Sequence, residues 1–431
     1  MKKLLTIIIT ALILFSASGV QAGTETIITP GITGTGFGIS TDIIDNTAIV
    51  GMSGAGVVFE ETNKGWAEKA LLTPGDVEEN RFGSHVAISE NFIAVSGNEK
   101  AYIFQKPANG WTDMNETKVL SLFQPGYGMI GIFDLAIHGN TFVICYQTDF
   151  QGVTVKIVNI YDYNGGEWIL SDTIISENHG ECADVYEDYV IIGSQNSGAL
   201  IYRRTENGRW VQETQLIADD MESTVCFGRD VAITDGFAIV GDKNTSSVYI
   251  FEHNGNQWIQ KQKFTEYDAY GKAVYYGTSV DITKDYAIVG SFGYRAGIAN
   301  APFCGAAFLY KRQDNNVFEK IDRYLAPISE SLGFYGWSVA LSEDHFIIGH
   351  IQNPSFSDNA NGSAVIYNLF ALGDLDRDGC VGKNDAAILR TFLNRPLIEC
   401  PECDLDGDDR ITILDARKLV TLCTNANCEC P

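Results

Sequence analysis

Histidine, proline and positive charge are scarce in this chain, and each shortage excludes something. The six histidines of the 431 residues fall at no metal-ligand spacing. There is no His-Glu-x-x-His, no phosphate loop, no Gly-x-Ser-x-Gly elbow and no sialidase-type Ser-x-Asp-x-Gly-x-x-Trp box, so no recognised catalytic arrangement stands out. Lysine and arginine number 30 against 55 acids, giving a net charge of -25 and a pI near 4.5. That balance argues against nucleic acid or an anionic membrane as partner and suits an exported protein that must stay soluble. Proline is sparse (10) and glycine abundant (43), and no long helical pattern occurs before residue 383.

A second apolar span is also missing. Lys2 and Lys3 precede an apolar run, Leu4 to Phe15, which is too short to cross a membrane, and Val20-Gln-Ala22 offers small residues for cleavage before Gly23. Residues 1–22 are therefore read as a signal peptide. No cysteine follows the cut to take a lipid, so the expected product is secreted, without a membrane span.

What is present is clearest at the C-terminus. Asp374-Leu-Asp376-Arg-Asp378-Gly379-Cys380 runs on to Asp385, and a second copy runs from Asp404 through Asp406, Asp408, Asp409 and Arg410 to Asp415. Each places carboxylates at positions 1, 3, 5 and 12 of a twelve-residue loop and a backbone carbonyl at 7 (Cys380, Arg410), the spacing with which a short loop wraps Ca²⁺. One such run is weak, since acidic turns are common. Two in the same register carry weight. Each is followed by a helical apolar stripe, Ile388, Leu389, Phe392 and Leu393 in one and Ala416, Leu419, Val420 and Cys423 in the other. Each stripe is too small to fold alone, so the two are expected to pack together.

These tandem loop-helix repeats resemble a type I dockerin, over about residues 371–431. The resemblance implies two bound Ca²⁺ ions and docking to a cohesin-type module on a scaffold protein or cell surface. It also implies that loop positions 10 and 11, here Lys383/Asn384 and Ile413/Leu414, help choose the partner. The two halves differ there, which speaks against two equivalent docking orientations. Asp409 stands where the first loop has Gly379 at the sharp turn; Asp tolerates left-handed backbone better than most residues, so a weaker second site is expected.

The preceding residues repeat. An aromatic-Gly pair, an alternating strand, an acidic or Asn turn and a strand ending in Gly recur from Phe37, Phe82, Tyr127, His179 (degenerate), Phe227, Tyr276 and Tyr335. Third strands follow, such as Ala101–Phe104, Ala199–Tyr202, Val248–Phe251 and Ala306–Tyr310. Fourth strands open at Trp66, Trp111, Trp168, Trp210, Trp258 and Phe318. Seven four-stranded units make an all-β, seven-bladed β-propeller over residues 23–370, followed by the small α-helical module with EF-hand-like calcium loops. The seventh unit stops at Phe370 without a fourth strand, and Thr26–Thr29 is a strand to spare, so the N-terminal strand is expected to close the ring. The Gly34-Thr-Gly-Phe-Gly38 run precedes no helix and reads as a blade turn.

The aromatic-Gly starts and the later pairs Gly198-Ala199, Gly305-Ala306 and Gly362-Ser363 resemble FG-GAP repeats, which build the propellers of integrin α chains and many bacterial surface proteins. Many such blades carry an Asp-rich Ca²⁺ loop; no D-x-D-x-D run precedes residue 374 here.

Of ten cysteines, six are in the last 52 residues. In an exported protein Cys380, Cys400, Cys403, Cys423, Cys428 and Cys430 suggest disulfides in a module with a thin core. Sequence does not choose the pairing, and Cys400-Pro-Glu-Cys403 with Cys428-Glu-Cys430 could instead hold Zn²⁺. Cys145, Cys182, Cys226 and Cys304 are scattered over the propeller, as disulfides or buried thiols. The Trp residues that repeat at one blade position suit packing. Trp337 breaks that pattern and is the candidate ligand contact.

Three readings follow. The first is a non-catalytic secreted protein, cell-surface associated through cohesin, whose propeller presents a protein- or glycan-binding face. The second is a polysaccharide-degrading enzyme, with two carboxylates meeting at the propeller mouth. The third is a structural subunit of the same assembly.

Overall fold

The computed structural model describes residues 25–431 apart from 33–34, 63, 76–80, 123–126, 151, 195–197, 221–226, 269–270, 272–273, 296–303, 327–332, 353–361, 371–372, 377–379, 397–399, 401–402, 406–409, 424–427 and 429–431. Residues 1–22, expected to be a signal peptide, and Cys226 and Cys430 lie outside the described residues.

The strands form seven sheets, antiparallel but for one short parallel pair. In chain order the blades span residues 41–73, 86–121, 127–176, 182–216, 227–265, 280–325 and 335–368. The first strand of every blade lines a common central channel, and the later strands step outward. Blade 7 has three strands of its own. Glu25–Ile28 adds the fourth, with Glu25 opposite Tyr367 and Ile28 opposite Ala364. The expected closure by the N-terminal strand is thus what joins the two ends of the ring.

The repeated residues have two packing jobs. Within a blade, the Gly of the aromatic-Gly pair donates its N–H to the glycine that ends the second strand, Gly38 to Gly51 and Gly277 to Gly290, both at 3.1 Å. Between blades, a side chain on that strand-ending glycine would collide with the next blade: Gly51 with the Gly83 carbonyl, Gly241 with Gly277, Gly290 with Gly336, and Gly349 with Gly38. Glycine recurs because neighbouring blades touch backbone to backbone at these points. Blade 3 puts the buried thiol of Cys145 there.

The aromatic before the second glycine is fully buried in Phe37, Phe82, Phe227, Tyr276 and Tyr335. It meets an aromatic of its own third strand. Phe37 meets Phe59, Phe82 meets both Tyr102 and Phe104, and Phe227 meets Tyr249. Where it is Tyr the partner is Tyr310 or Tyr367, and the two hydroxyls bond to each other, Tyr335 to Tyr367 at 3.0 Å. In these two blades each buried hydroxyl satisfies the other.

Two expectations need correction. Trp111 does not open a strand. The chain after it divides, Met114–Asn115 pairing in parallel with Leu72–Thr73 of blade 1 and Lys118–Ser121 forming the outer strand of blade 2. Tyr127-Gly128 begins a strand of 12 residues interrupted by two register shifts, so blade 3 is longer than its neighbours. Trp168, Trp210, Trp258 and Phe318 each begin an outer strand, and all but Trp258 are buried, as are Trp66 and Trp111.

Beyond the blades, helix α1 spans Lys383–Phe392 and helix α2 spans Ile413–Leu422. Leu389 and Leu419 are fully buried and share one core with Val381, Leu405 and Ile411. Val420, expected on the inner stripe of α2, is instead 61% exposed; its position on the helix points away from Leu419. Disulfides join Cys400 to Cys403 and Cys423 to Cys428, and Cys380 is disulfide-bonded as well. Cys400, Cys403 and Cys428 are therefore not zinc thiolates. Cys145, Cys182 and Cys304 are buried, and Cys145 and Cys182 are thiols.

Candidate functional site

Three places merit attention, and the first is the pair of acidic loops. Asp385 is the third residue of α1, and its carboxylate turns back over the loop. One oxygen accepts the N–H groups of Leu375 (2.6 Å) and Asp376 (3.0 Å), the other that of Gly382 (2.6 Å). Asp374, Asp376 and Asp385 each bring one carboxylate oxygen to within 4.8 Å of the others. Asp374 and Asp385 are buried and Asp376 is exposed. A carboxylate oxygen has two lone pairs, so the N–H bonds leave Asp385 able to bind a cation too. In the second loop Asp415 caps α2 the same way, accepting the Thr412 N–H at 2.7 Å. It is buried, Asp404 is half-buried and Arg410 exposed. Asp378, Asp406 and Asp408 lie outside the described residues. Lys383 and Asn384 are exposed at the start of α1. Ile413 and Leu414 are exposed at the start of α2, by 59% and 47%.

The central channel is the second place. It encloses about 630 Å³ and holds five aspartates that the sequence reading missed. Asp42, Asp134, Asp184, Asp230 and Asp281 all sit on innermost strands and reach toward the next blade. Asp42 accepts its neighbour Ile43 N–H at 2.8 Å and the Ile88 N–H of blade 2 at 2.7 Å. Asp184 does the same with Val185 and with Ile233 of blade 5, both at 2.8 Å, and Asp281 with Ile282 (2.7 Å) and Leu341 of blade 7 (2.6 Å). Asp134 takes the N–H groups of Leu135 (2.9 Å) and Ala183 (3.0 Å), and Asp230 that of Val280 (2.8 Å). Each is a clasp between consecutive blades. Burial inside the ring raises their pKa values, to about 7 for Asp42, about 8 for Asp134 and about 6 for Asp230 and Asp281, against the pull of the N–H bonds. Asp184 is pushed up by the same cause. The signal was in the sequence: measured from the aromatic or His that starts the unit, an Asp falls five residues on in Asp42, Asp184 and Asp281 and three on in Asp230, which puts all of them on one strand face.

The third is the rim between blades 6 and 7, where Trp337 is half-buried. Its ring lies 5.1 Å from that of Phe292 and 6.0 Å from Phe334, and Phe292 stacks on Tyr275 at 4.9 Å with the planes 6° apart. The repeated Trp residues, by contrast, fill the blades.

Residues 210–251 match the FG-GAP repeat family. No curated protein matches the chain. Among solved structures, the WD40 repeats of RRP9 superpose with a TM-score of 0.53 at 10% identity, covering 81% of this chain and 99% of that one. U3-55K superposes with a TM-score of 0.54 at 10% identity, covering 81% and 100%. At such identity the likeness is one of fold, the seven-bladed ring. No helix among the described residues is long and apolar enough to cross a membrane.

Proposed function

We propose that this is an exported, non-catalytic binding protein whose residues 371–431 act as a dockerin-like module. That module takes two Ca²⁺ ions and docks to a cohesin-type partner on a scaffold or cell surface, while the propeller presents a face to a glycan or a surface protein. What carries the reading is the convergence of Asp374, Asp376 and Asp385, positions 1, 3 and 12 of the first loop, on one point. Three carboxylates so close repel unless a cation or protons neutralise them, and an all-oxygen donor set suits a hard ion such as Ca²⁺. Asp385 ties the loop to α1, so metal binding and helix formation would be linked. The second loop would bind more weakly because Asp409 replaces the turn glycine. The exposed Ile413 and Leu414 differ in chemistry from Lys383 and Asn384, which favours one docking orientation.

An enzymatic reading needs a pair of carboxylates free to act on a substrate. The aspartates of the channel accept backbone N–H groups and serve the ring itself, so no observation favours that alternative.

The test is calorimetric titration of the full chain with Ca²⁺, with and without a cohesin module. Two unequal sites are expected, Asp374→Ala should remove the tighter one, and chelator should release the partner. A chain that takes up no Ca²⁺ at millimolar concentration would sink the proposal.

A further inference from the structure

The gap between blades 1 and 2 and the gap between blades 6 and 7 are built from equivalent positions. The first is open: a cleft of about 220 Å³ lined by Gly36, Ile39, Ser53 and Ser84 among others. Counted from the buried aromatic of each repeat, Gly36 becomes Tyr275, Arg81 becomes Phe334 and Ser84 becomes Trp337; counted from the strand-ending glycine, Ser53 becomes Phe292. The ring therefore tolerates a cleft at this place with small residues at three of the four positions, and Tyr275, Phe292 and Trp337 are not required there for packing.

Two of the aromatics, Tyr275 and Phe334, are also held against the backbone's preference. Gly36 has φ +74°, free for glycine, whereas Tyr275 has φ +56° and Phe334 φ +31°. Bulky residues in the left-handed region are outliers that persist where the surroundings enforce them, and they concentrate at functional sites. Beneath the turn, His350 is 3% exposed. Its Nδ1 bonds the Ser363 hydroxyl at 3.1 Å, while its Nε2 has no hydrogen-bond partner among the described residues and faces Gly333, next to Phe334. Burial holds its pKa down to about 4, so the imidazole is neutral.

We propose that the blade 6–blade 7 rim is a saccharide-binding platform, in which a sugar ring stacks on Tyr275 beside Phe292 and Trp337. This rests on the reading of the propeller as the ligand-presenting part and assigns its ligand class. Phe292 packs directly against both Tyr275 and Trp337, which makes a stacked aromatic patch and not the open box of rings that a quaternary ammonium enters. Tyr275 keeps 38% of its surface and pairs a flat apolar body with a hydroxyl, the combination that suits a sugar's C–H face and its rim of hydroxyls.

The experiment is affinity electrophoresis of the full chain through gels containing xylan, mannan, mixed-linkage β-glucan or pectin, followed by titration with the matching hexasaccharide. The expected result is retardation by at least one polymer. Tyr275→Gly should weaken that binding about tenfold or more while its melting temperature holds or rises, because glycine relieves the left-handed backbone. Tyr275→Phe should keep most of the binding. Retardation by none of the polymers would overturn the proposal. So would a Tyr275→Gly chain that binds as before, or one that melts earlier with binding intact, since the ring would then be filler. Ca²⁺-dependent docking of the same variants reports on the C-terminal module separately, so failure of one reading is distinguishable from failure of the other.

Discussion

Asp42 in the ring and Asp385 beside α1 are held alike: both oxygens of each accept backbone N–H groups. Their company differs. Across the same channel level as Asp42 the other blades offer Asp184 and Asp281, and otherwise alanines at 87, 136, 232 and 340. The charges are spread around the ring, and burial answers by favouring the proton. Asp385 instead has two more carboxylates within 4.8 Å, a concentration suited to a multivalent cation. The ring is held by backbone contacts and aromatic pairs that recur from blade to blade. The C-terminal segment has two ten-residue helices over a small core and disulfides. One region should be indifferent to chelator, the other ruled by it.

The largest effect should come from removing the closing strand. Deleting residues 23–30 leaves blade 7 with three strands and exposes the outer edge of Ser363–Asn368. The burial of Ile28 alone contributes about 1.5–3 kcal/mol, and each ladder hydrogen bond about 1 kcal/mol. Together these approach the roughly 5–15 kcal/mol that keeps an ordinary domain folded. Scanning calorimetry should show the propeller transition lowered and broadened, with calcium uptake by the C-terminal segment retained. An unchanged transition would mean that blade 7 does not need its borrowed strand.

Much of the ring was legible because repetition turns weak signals into a strong one. Phe37-Gly, Phe82-Gly and Tyr335-Gly are each a common dipeptide, and their recurrence in register gave the blades. The split after Trp111 was not legible, since nothing local says that Met114–Asn115 will pair with blade 1 and not continue blade 2. The channel aspartates were visible but unread. An acid on an alternating strand looks like a solvated face, and its inward direction depends on ring closure. Trp337 stood out as a break in a pattern, but its partner Phe292, and the Tyr275 stacked on Phe292, come from the neighbouring blade and could not be placed by spacing. At the C-terminus the stripe that included Val420 was drawn too wide by one residue.

A smaller effect tests the tyrosine pairs. Tyr335→Phe leaves the Tyr367 hydroxyl buried without its partner, which should cost about 1–3 kcal/mol. Adding Tyr367→Phe recreates the Phe–Phe pairing seen between Phe82 and Phe104 and should recover most of the loss. Chemical denaturation of the two single variants and the double variant would measure this coupling. Additive losses would show that the hydroxyls act independently. Calcium titration should be identical in all three.

The last effect is on pH, and it should belong to the ring alone. The folded-state pKa values of the channel aspartates, about 6 to about 8, lie above the ordinary 3.8. The folded ring therefore binds protons more readily than the unfolded chain. This contribution to stability is fully present below about pH 4 and is lost as the pH rises through 6 to 8. Each proton so held changes stability by about 1.4 kcal/mol per pH unit across its range. The propeller should melt at a higher temperature at pH 5 than at pH 8 in chelator, and Asp134→Asn should flatten that slope. Calcium binding would draw on the loop carboxylates and not on the channel aspartates, so Asp134→Asn should leave it unchanged. Were the ring to weaken on acidification instead, the backbone N–H groups would outweigh burial. The channel aspartates would then be charged clasps, closer in kind to Asp385 than their surroundings suggest.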